Sequence, residues 1–188
     1  MTVTMIARTA ALATSLETAR MDAPRRLEAL FDAHHQRLYR LARRLSSNHD
    51  DARDLVQDTY VRAAQKLTSV PVEPASEEAW LVRVLINLCR DRWRQRAVRQ
   101  RPVPAEFSAP GMTPSGEAAL IARTTIWRAL DGLTPRRRAI LVMCELEGQS
   151  IAAVANMLGV NAVTIRWHLS RGRRELARAI GTSGSTQS

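Results

Sequence analysis

Between Gly159 and Leu176 the chain reads GVNAVTIRWHLSRGRREL. Its commonest polar residue is arginine, whose planar fork of N–H donors matches the O6/N7 edge of guanine or a pair of phosphate oxygens. Gly159 is a helix-stop signal and Asn161 a helix-start signal. Ile165, Leu169 and Leu176 then recur at helical spacing and face inward. That leaves Thr164, Arg166, Trp167, Ser170 and Arg171 facing outward, with Arg173, Arg174 and Arg178 further along. The chemistry is recognition of a polyanion: base edges near the helix start, phosphates near its end. A solvated basic face favoured by the helix dipole is the alternative. Trp167 fits either the core or a flat contact against sugar or a thymine methyl. His168 reads as a surface histidine.

Two further polar sets lie in the first half. In DARDLVQDTYVRA, the residues Ala52, Leu55, Val56, Thr59 and Ala63 form an apolar stripe. Asp54, Gln57, Asp58, Arg62 and Gln65 stand on the other side, where Asp58 and Arg62 are an i, i+4 pair. The segment AWLVRVLINLC is the most apolar of the chain. Its polar residues Arg83, Asn87, Arg90 or Asp91, and Arg94 share one face. Such a stripe beside apolar pockets suits unstacked single-strand bases. The run RDRWRQRAVRQR that follows gives a basic collar suited to phosphates or a basic tail, and Trp80 and Trp93 read as packing residues.

Only helices can position these sets, because the periodicity is helical throughout and β-branched alternation is absent. A first helix carries Leu27, Leu30, Phe31, Leu38, Leu41, Ala42 and Leu45 and ends near Ser46-Ser47-Asn48. A second starts at Asp50 or Asp51. The loop TSVPVEPAS follows, and Ser76 caps a third helix with Glu77 and Glu78 in its first turn. Four prolines and two glycines fall within residues 98–118, which mark a linker. About 20 extended residues reach on the order of 60 Å, beyond one turn of B-DNA at ~34 Å. Beyond it, Leu120, Ile121, Trp127 and Leu130 mark one helix, Thr134-Pro135 opens another through Leu146, and Ser150 caps the short SIAAVANML. Short helix, glycine turn and capped second helix are helix-turn-helix punctuation.

The expected architecture is therefore all-α: two small helical domains joined by a flexible Pro-rich linker, the second a helix-turn-helix. The divisions are a disordered leader at 1–21, a first domain at 22–97, the linker at 98–117, a second domain at 118–181 and a disordered tail at 182–188. Met21-Asp22 precedes the first strong pattern, so the leader also reads as sequence upstream of a later start.

Composition limits the function classes. The formal charge is +10, and of 28 basic residues Lys66 is the one lysine. This favours a polyanion partner. Cys89 and Cys144 stand far apart in apolar contexts, giving no disulfide framework or metal knuckle; they read as buried thiols of a cytoplasmic protein. His34, His35, His49 and His168 lack metal-ligand spacing. No apolar run approaches the ~20 residues of a membrane span, and no signal peptide is read at the N-terminus. There is no serine elbow, paired-carboxylate site or glycine-rich phosphate loop, so no enzyme, cofactor or small-molecule substrate is expected.

RLYRLARRL, DARDLVQDTYVRA and AWLVRVLINLCRDRWR, followed by LDGLTPRRRAILVMCELEGQSIAAVANMLGVNAVTIRWHLSRGRREL, resemble the extracytoplasmic-function (ECF) sigma factors of bacterial RNA polymerase, over about residues 26–180. The resemblance implies a non-catalytic factor that binds core RNA polymerase, through the clamp coiled coil of beta-prime and the flap of beta, and directs it to promoter DNA. It places core docking on Asp54, Gln57 and Asp58. It places reading and melting of the −10 element on Arg62, Lys66, the loop from Thr68 to Ser76 with Val70, and Asn87, Arg90, Asp91 and Arg94. Reading of the −35 duplex falls on Thr164, Arg166, Trp167, Ser170, Arg171 and Arg173, with phosphate contacts at Ser150 and Asn161. An anti-sigma factor is the implied regulator. The chain departs from common members at Val70, Pro71, Pro74, Trp167 and Ser170, so both promoter sequences stay open. A stand-alone helix-turn-helix regulator lacks a use for DLVQD. A sigma mimic that sequesters an anti-sigma factor lacks a use for Arg90, Arg166 and Arg171.

Overall fold

The computed structural model describes residues 2–99 and 126–184, with side chains described over 22–96 and 126–181. Every regular element among them is helical. In chain order these are α1 (Thr2–Leu45), α2 (His49–Gln65), a 3-10 turn (Leu67–Ser69) and α3 (Pro74–Arg99). Then come α4 (126–131), α5 (Pro135–Leu141) running into a π turn (Val142–Leu146), α6 (Ile151–Leu158) and α7 (Ala162–Gly184). Most of the expected linker, and residues 118–125 of the second domain, lie outside the described residues.

The first domain is α1, α2 and α3 packed around one leucine-rich core. Leu30, Leu38 and Leu41 of α1 meet Leu55 of α2 and Leu81 and Leu85 of α3, all fully buried. Each such leucine contributes about 2 kcal/mol by leaving water. His34 falls on the same α1 stripe and is buried too. Its Nε2 lies 3.3 Å from Glu77 Oε2, so the buried ring has a polar partner on α3.

Local signals differ from the expected ones in three places. Asn48, not Asp50 or Asp51, caps α2: its backbone is extended and its Oδ1 accepts from the Asp51 N–H at 2.7 Å. Glu73 replaces Ser76 as the cap of α3, accepting from the Ser76 N–H at 2.8 Å and the Ser76 hydroxyl at 2.5 Å. Those bonds hold the Glu73 carboxyl below its ordinary range. Helix α1 begins at Thr2, so helix continues back through the segment expected to be a disordered leader, with Pro24 inside it. Likewise α7 runs to Gly184, beyond the expected domain end at 181.

In the second domain the punctuation acts as expected. Pro135 opens α5, Ser150 and Asn161 cap α6 and α7, and Gly159 ends α6 in the left-handed region at φ 65°. Gly172 lets α7 lie close on α5, because a Cβ there would come 2.8 Å from Leu141 Cδ1.

The two domains pack on each other, α3 against α5 and α6, and α1 against α5. Arg138 of α5 is only 4% exposed. It pairs with Asp131, lies 5.7 Å over the Trp127 ring, and donates from Nε to the Arg44 carbonyl at the end of α1 at 2.6 Å. Just beyond the π turn, Glu147 accepts from Arg37 at 3.1 Å and Arg44 at 3.0 Å. Arg83 of α3 donates to the Met157 carbonyl in the last turn of α6 at 3.0 Å.

Two outcomes separate these contacts. Arg138→Ala strands Asp131 and the Arg44 carbonyl, and urea unfolding should show a loss of about 3 kcal/mol. Glu147→Gln removes a charge whose partners are partly exposed, worth about 1 kcal/mol. It should raise the radius of gyration in X-ray scattering at unchanged helicity; an unchanged radius would show that Glu147 does not hold the domains together.

Candidate polymerase and nucleic-acid interfaces

Helix α2 buries Ala52, Leu55, Val56, Thr59, Tyr60 and Ala63, which turns Asp54, Gln57 and Asp58 outward. Asp54 and Gln57 are exposed and have no hydrogen-bonding or ionic partner among the described residues. Asp58 does not pair with Arg62 as the i, i+4 spacing suggested. Arg92 of α3 reaches it at 2.5 Å and also donates to the Asp51 carbonyl at 3.3 Å. The face thus presents one engaged carboxylate, one free carboxylate and one free amide, a pattern suited to a basic helical partner.

Beside this face, α2 and α3 enclose a cavity of about 280 Å³ lined by Arg62, Lys66, Val84, Asn87, Leu88, Arg90 and Asp91. Five residues expected at the −10 element come together here. Arg90 Nε is buried without a hydrogen-bond partner, and its nearest acid, Asp91 Oδ1, is an ion-pair contact at 3.5 Å. The Arg90 side chain as a whole is 37% exposed, so its outer guanidinium nitrogens are open to an incoming acceptor. Arg94 is exposed one turn further along α3, outside the lining. Val70 departs from expectation. Its side chain is 3% exposed and belongs to the core, while its carbonyl accepts from Arg26 at 2.6 Å. Val72, 81% exposed, is the loop's free apolar side chain. The second domain closes on the other flank: Arg136 and Leu158 join Arg83, Ile86, Asn87 and Arg90 around a space of about 150 Å³.

In the helix-turn-helix, Ile165 and Leu169 are buried, as their spacing requires. Thr164 is fixed at the cap, with its N–H and hydroxyl 2.7 and 2.8 Å from Asn161 Oδ1. Ser150 Oγ accepts from the Ala153 N–H at 3.1 Å, and its own hydroxyl proton remains able to donate. Arg166 and Ser170 are exposed, and Arg166 has no partner among the described residues. Arg171 and Arg173 do have partners: Glu175 at 3.1 Å and Glu145 at 2.5 Å. Trp167 is not core; it is 51% exposed, with Arg137 and Arg171 at 5.8 and 5.6 Å from its ring. Burial, aided by the charges of Arg136 and Arg137, pushes the His168 imidazole below its ordinary value.

Sequence reasoning missed two features. Val163, 68% exposed, lies one turn before Trp167 on the same outward face. A groove of about 590 Å³ between α1 and α2 is lined by Leu27, Phe31, His35, Tyr39 and Tyr60, among others. Phe31 stacks on His35 at 4.3 Å there, and stands 43% exposed although its spacing put it with the core. Trp93, expected to pack, is 41% exposed.

Comparison with known proteins follows the same division. Residues 30–99 match Sigma-70 region 2 and residues 123–176 match Sigma-70, region 4. The ECF RNA polymerase sigma factor SigE of Mycolicibacterium smegmatis is 35% identical over 154 residues, covering 79% of this chain and 59% of that protein. SigM of Mycobacterium tuberculosis is 35% identical, covering 82% of this chain and 76% of the relative; for SigL of the same species the figures are 30%, 86% and 92%. Among solved structures, the sigma factor RpoE in complex with the anti-sigma factor NepR from Bartonella quintana superposes with a TM-score of 0.57 at 25% identity, covering 88% of this chain and 98% of that one. CnrH in complex with the cytosolic domain of CnrY shares the fold, with a TM-score of 0.56 at 23% identity, covering 87% and 97%. With region 2 built on α1–α3, region 4 reaching into α7, and relatives matched over most of the chain, the protein belongs to the ECF sigma factors of RNA polymerase.

Proposed function

We propose that this chain binds core RNA polymerase in the cytoplasm and directs promoter-specific initiation, using region 2 at the −10 element and region 4 at the −35 element. One observation carries the reading: the α2–α3 cavity gathers Arg62, Lys66, Asn87, Arg90 and Asp91, with the Arg90 side chain partly exposed and only loosely engaged by Asp91. A flipped single-strand base brings acceptors and a flat face to such a site. The neighbouring Asp54 and Gln57 dock the clamp coiled coil of beta-prime, and the flap of beta is the expected partner of region 4. Arg166 reads a base edge, Ser170 stands beside it, and Ser150, Asn161 and Thr164 hold the phosphates. Arg171, with its Nε kept on Glu175, offers its Nη groups to DNA, and Arg173 exchanges Glu145 for DNA. Both named structural neighbours are complexes, and RpoE's partner is an anti-sigma factor; we infer a regulator of that class here.

Run-off transcription with the purified chain, bacterial core polymerase and fragmented genomic DNA tests this, with core alone as control. New transcripts sharing two spaced upstream motifs are expected. Absence of transcripts with intact duplex binding points instead to a stand-alone regulator. Asp54→Ala with Gln57→Ala should weaken core binding about tenfold in a fluorescence titration while leaving duplex affinity unchanged. Arg166→Ala should keep core binding and lose about 1–3 kcal/mol of discrimination at one −35 base pair.

A further inference from the structure

Trp167 and Val163 pose a separate question, because neither is used by charge-based recognition. They lie four residues apart on the outward face of α7, 51% and 68% exposed, with the buried Ile165 and Leu169 on the opposite side. Single exposed apolar side chains are ordinary on protein surfaces. Here two on successive turns form a ridge in the half of the helix that enters the groove. The ridge is also held in place. Arg137 and Arg171 lie 5.8 and 5.6 Å from the indole, and His168 packs edge-on at 4.9 Å. Glu175 ties the two arginines together, taking Arg137 Nη1 on both oxygens at 3.1 and 2.9 Å and Arg171 Nε at 3.1 Å. Ser170, one turn beyond Trp167, is too small to cover the ring. An indole fixed before contact loses little further freedom on binding.

In the major groove, the C5-methyl of thymine is the one apolar group that distinguishes the bases. We propose that Val163 and Trp167 form an apolar ridge that recognises thymine methyl groups in the −35 duplex, a reading that rests on α7 being its recognition helix. Four residues of helix rise about 6 Å, and base steps on a strand are about 3.4 Å apart. The two methyls therefore lie within about three base pairs of each other. Trp167 thus contributes sequence preference through shape and apolar contact, beside the hydrogen bonds of Arg166.

The test uses the full chain with core polymerase and a promoter found by run-off transcription. Each thymine of the upstream duplex is replaced by uracil, which removes the methyl and leaves every hydrogen-bonding group in place. Uracil at one or two nearby positions should weaken promoter binding about fourfold each, the value for one buried methyl. Trp167→Ala should abolish the penalty at one position and Val163→Ala at the other. Both side chains are exposed, so the variants should keep their helicity by circular dichroism. Binding indifferent to uracil throughout, or a penalty that persists in both variants, overturns the ridge. If Arg166→Ala still relaxes a −35 position in that case, α7 remains the recognition helix and only the methyl contact is wrong. If no change in the upstream duplex alters binding, both readings fall.

Discussion

The Arg138 guanidinium ties the two halves of the molecule to each other and the second half to itself. Buried between α4, α5 and the end of α1, it joins the Asp131 carboxylate, the Trp127 ring and the Arg44 carbonyl. A carbonyl in the last turn of a helix has no partner within that helix, so a cation from the second domain completes the first domain's α1. The arrangement is not fully satisfied, since Arg138 Nη2 is buried without a partner. A buried charge of this kind adds little net stability, yet removing its carboxylate or the arginine itself leaves the other group uncompensated. Placement is what it supplies: α5 is set against α1, and the π turn then carries Glu147 to Arg37 and Arg44.

The same accounting sorts the many arginines of a strongly basic chain. Arg37, Arg44, Arg92, Arg96, Arg137 and Arg173 all pair with acids on other elements, which are Glu78, Glu147, Asp58, Asp51, Glu175 and Glu145. These hold the helices in register. Arg166 stands outside that network among the described residues, and Arg90 meets an acid only loosely, at 3.5 Å. Net charge draws the chain towards polyanions in general. Of the guanidiniums without a tight acid partner, Arg166 and Arg90 stand where the proposed reading needs them, on the outward face of α7 and at the α2–α3 cavity.

Sequence periodicity made the helices legible because their core stripes are nearly pure Leu, Ile, Val and Ala. It also separated Asp54 and Gln57 from the buried side of α2, and Arg166 from Ile165 and Leu169, through helix geometry alone. What it could not supply was any contact between elements. The i, i+4 spacing offers Asp58 the Arg62 of its own helix, whereas its partner is Arg92 of α3. The family resemblance puts Val70 on the −10 surface with its loop, but Arg26 from α1 fixes the loop carbonyls and the side chain lies in the core. Trp167 resisted assignment because an aromatic residue suits a core as well as a binding surface. Its exposure is decided by α5, which brings Arg137 alongside the ring in place of an apolar neighbour.

The packing of the domains has a consequence for the proposed reading. Asn87 and Arg90 border two spaces at once, the α2–α3 cavity and the contact with Arg136 and Leu158. A DNA strand approaching these side chains therefore meets the second domain on one flank. The contacts that keep that domain there include Glu147 with two arginines, Arg83 on Met157 and Arg138 on Arg44, beside a buried apolar cluster that runs through both domains. Water can replace the exposed polar contacts when the domains part, while the shared apolar cluster and the buried Arg138 set the cost of separation. The arginines released at the seam, Arg83 and Arg136 among them, then face the side from which the polyanion comes. On the proposed reading, the domain seam and the DNA strand therefore compete for the side chains of Asn87 and Arg90.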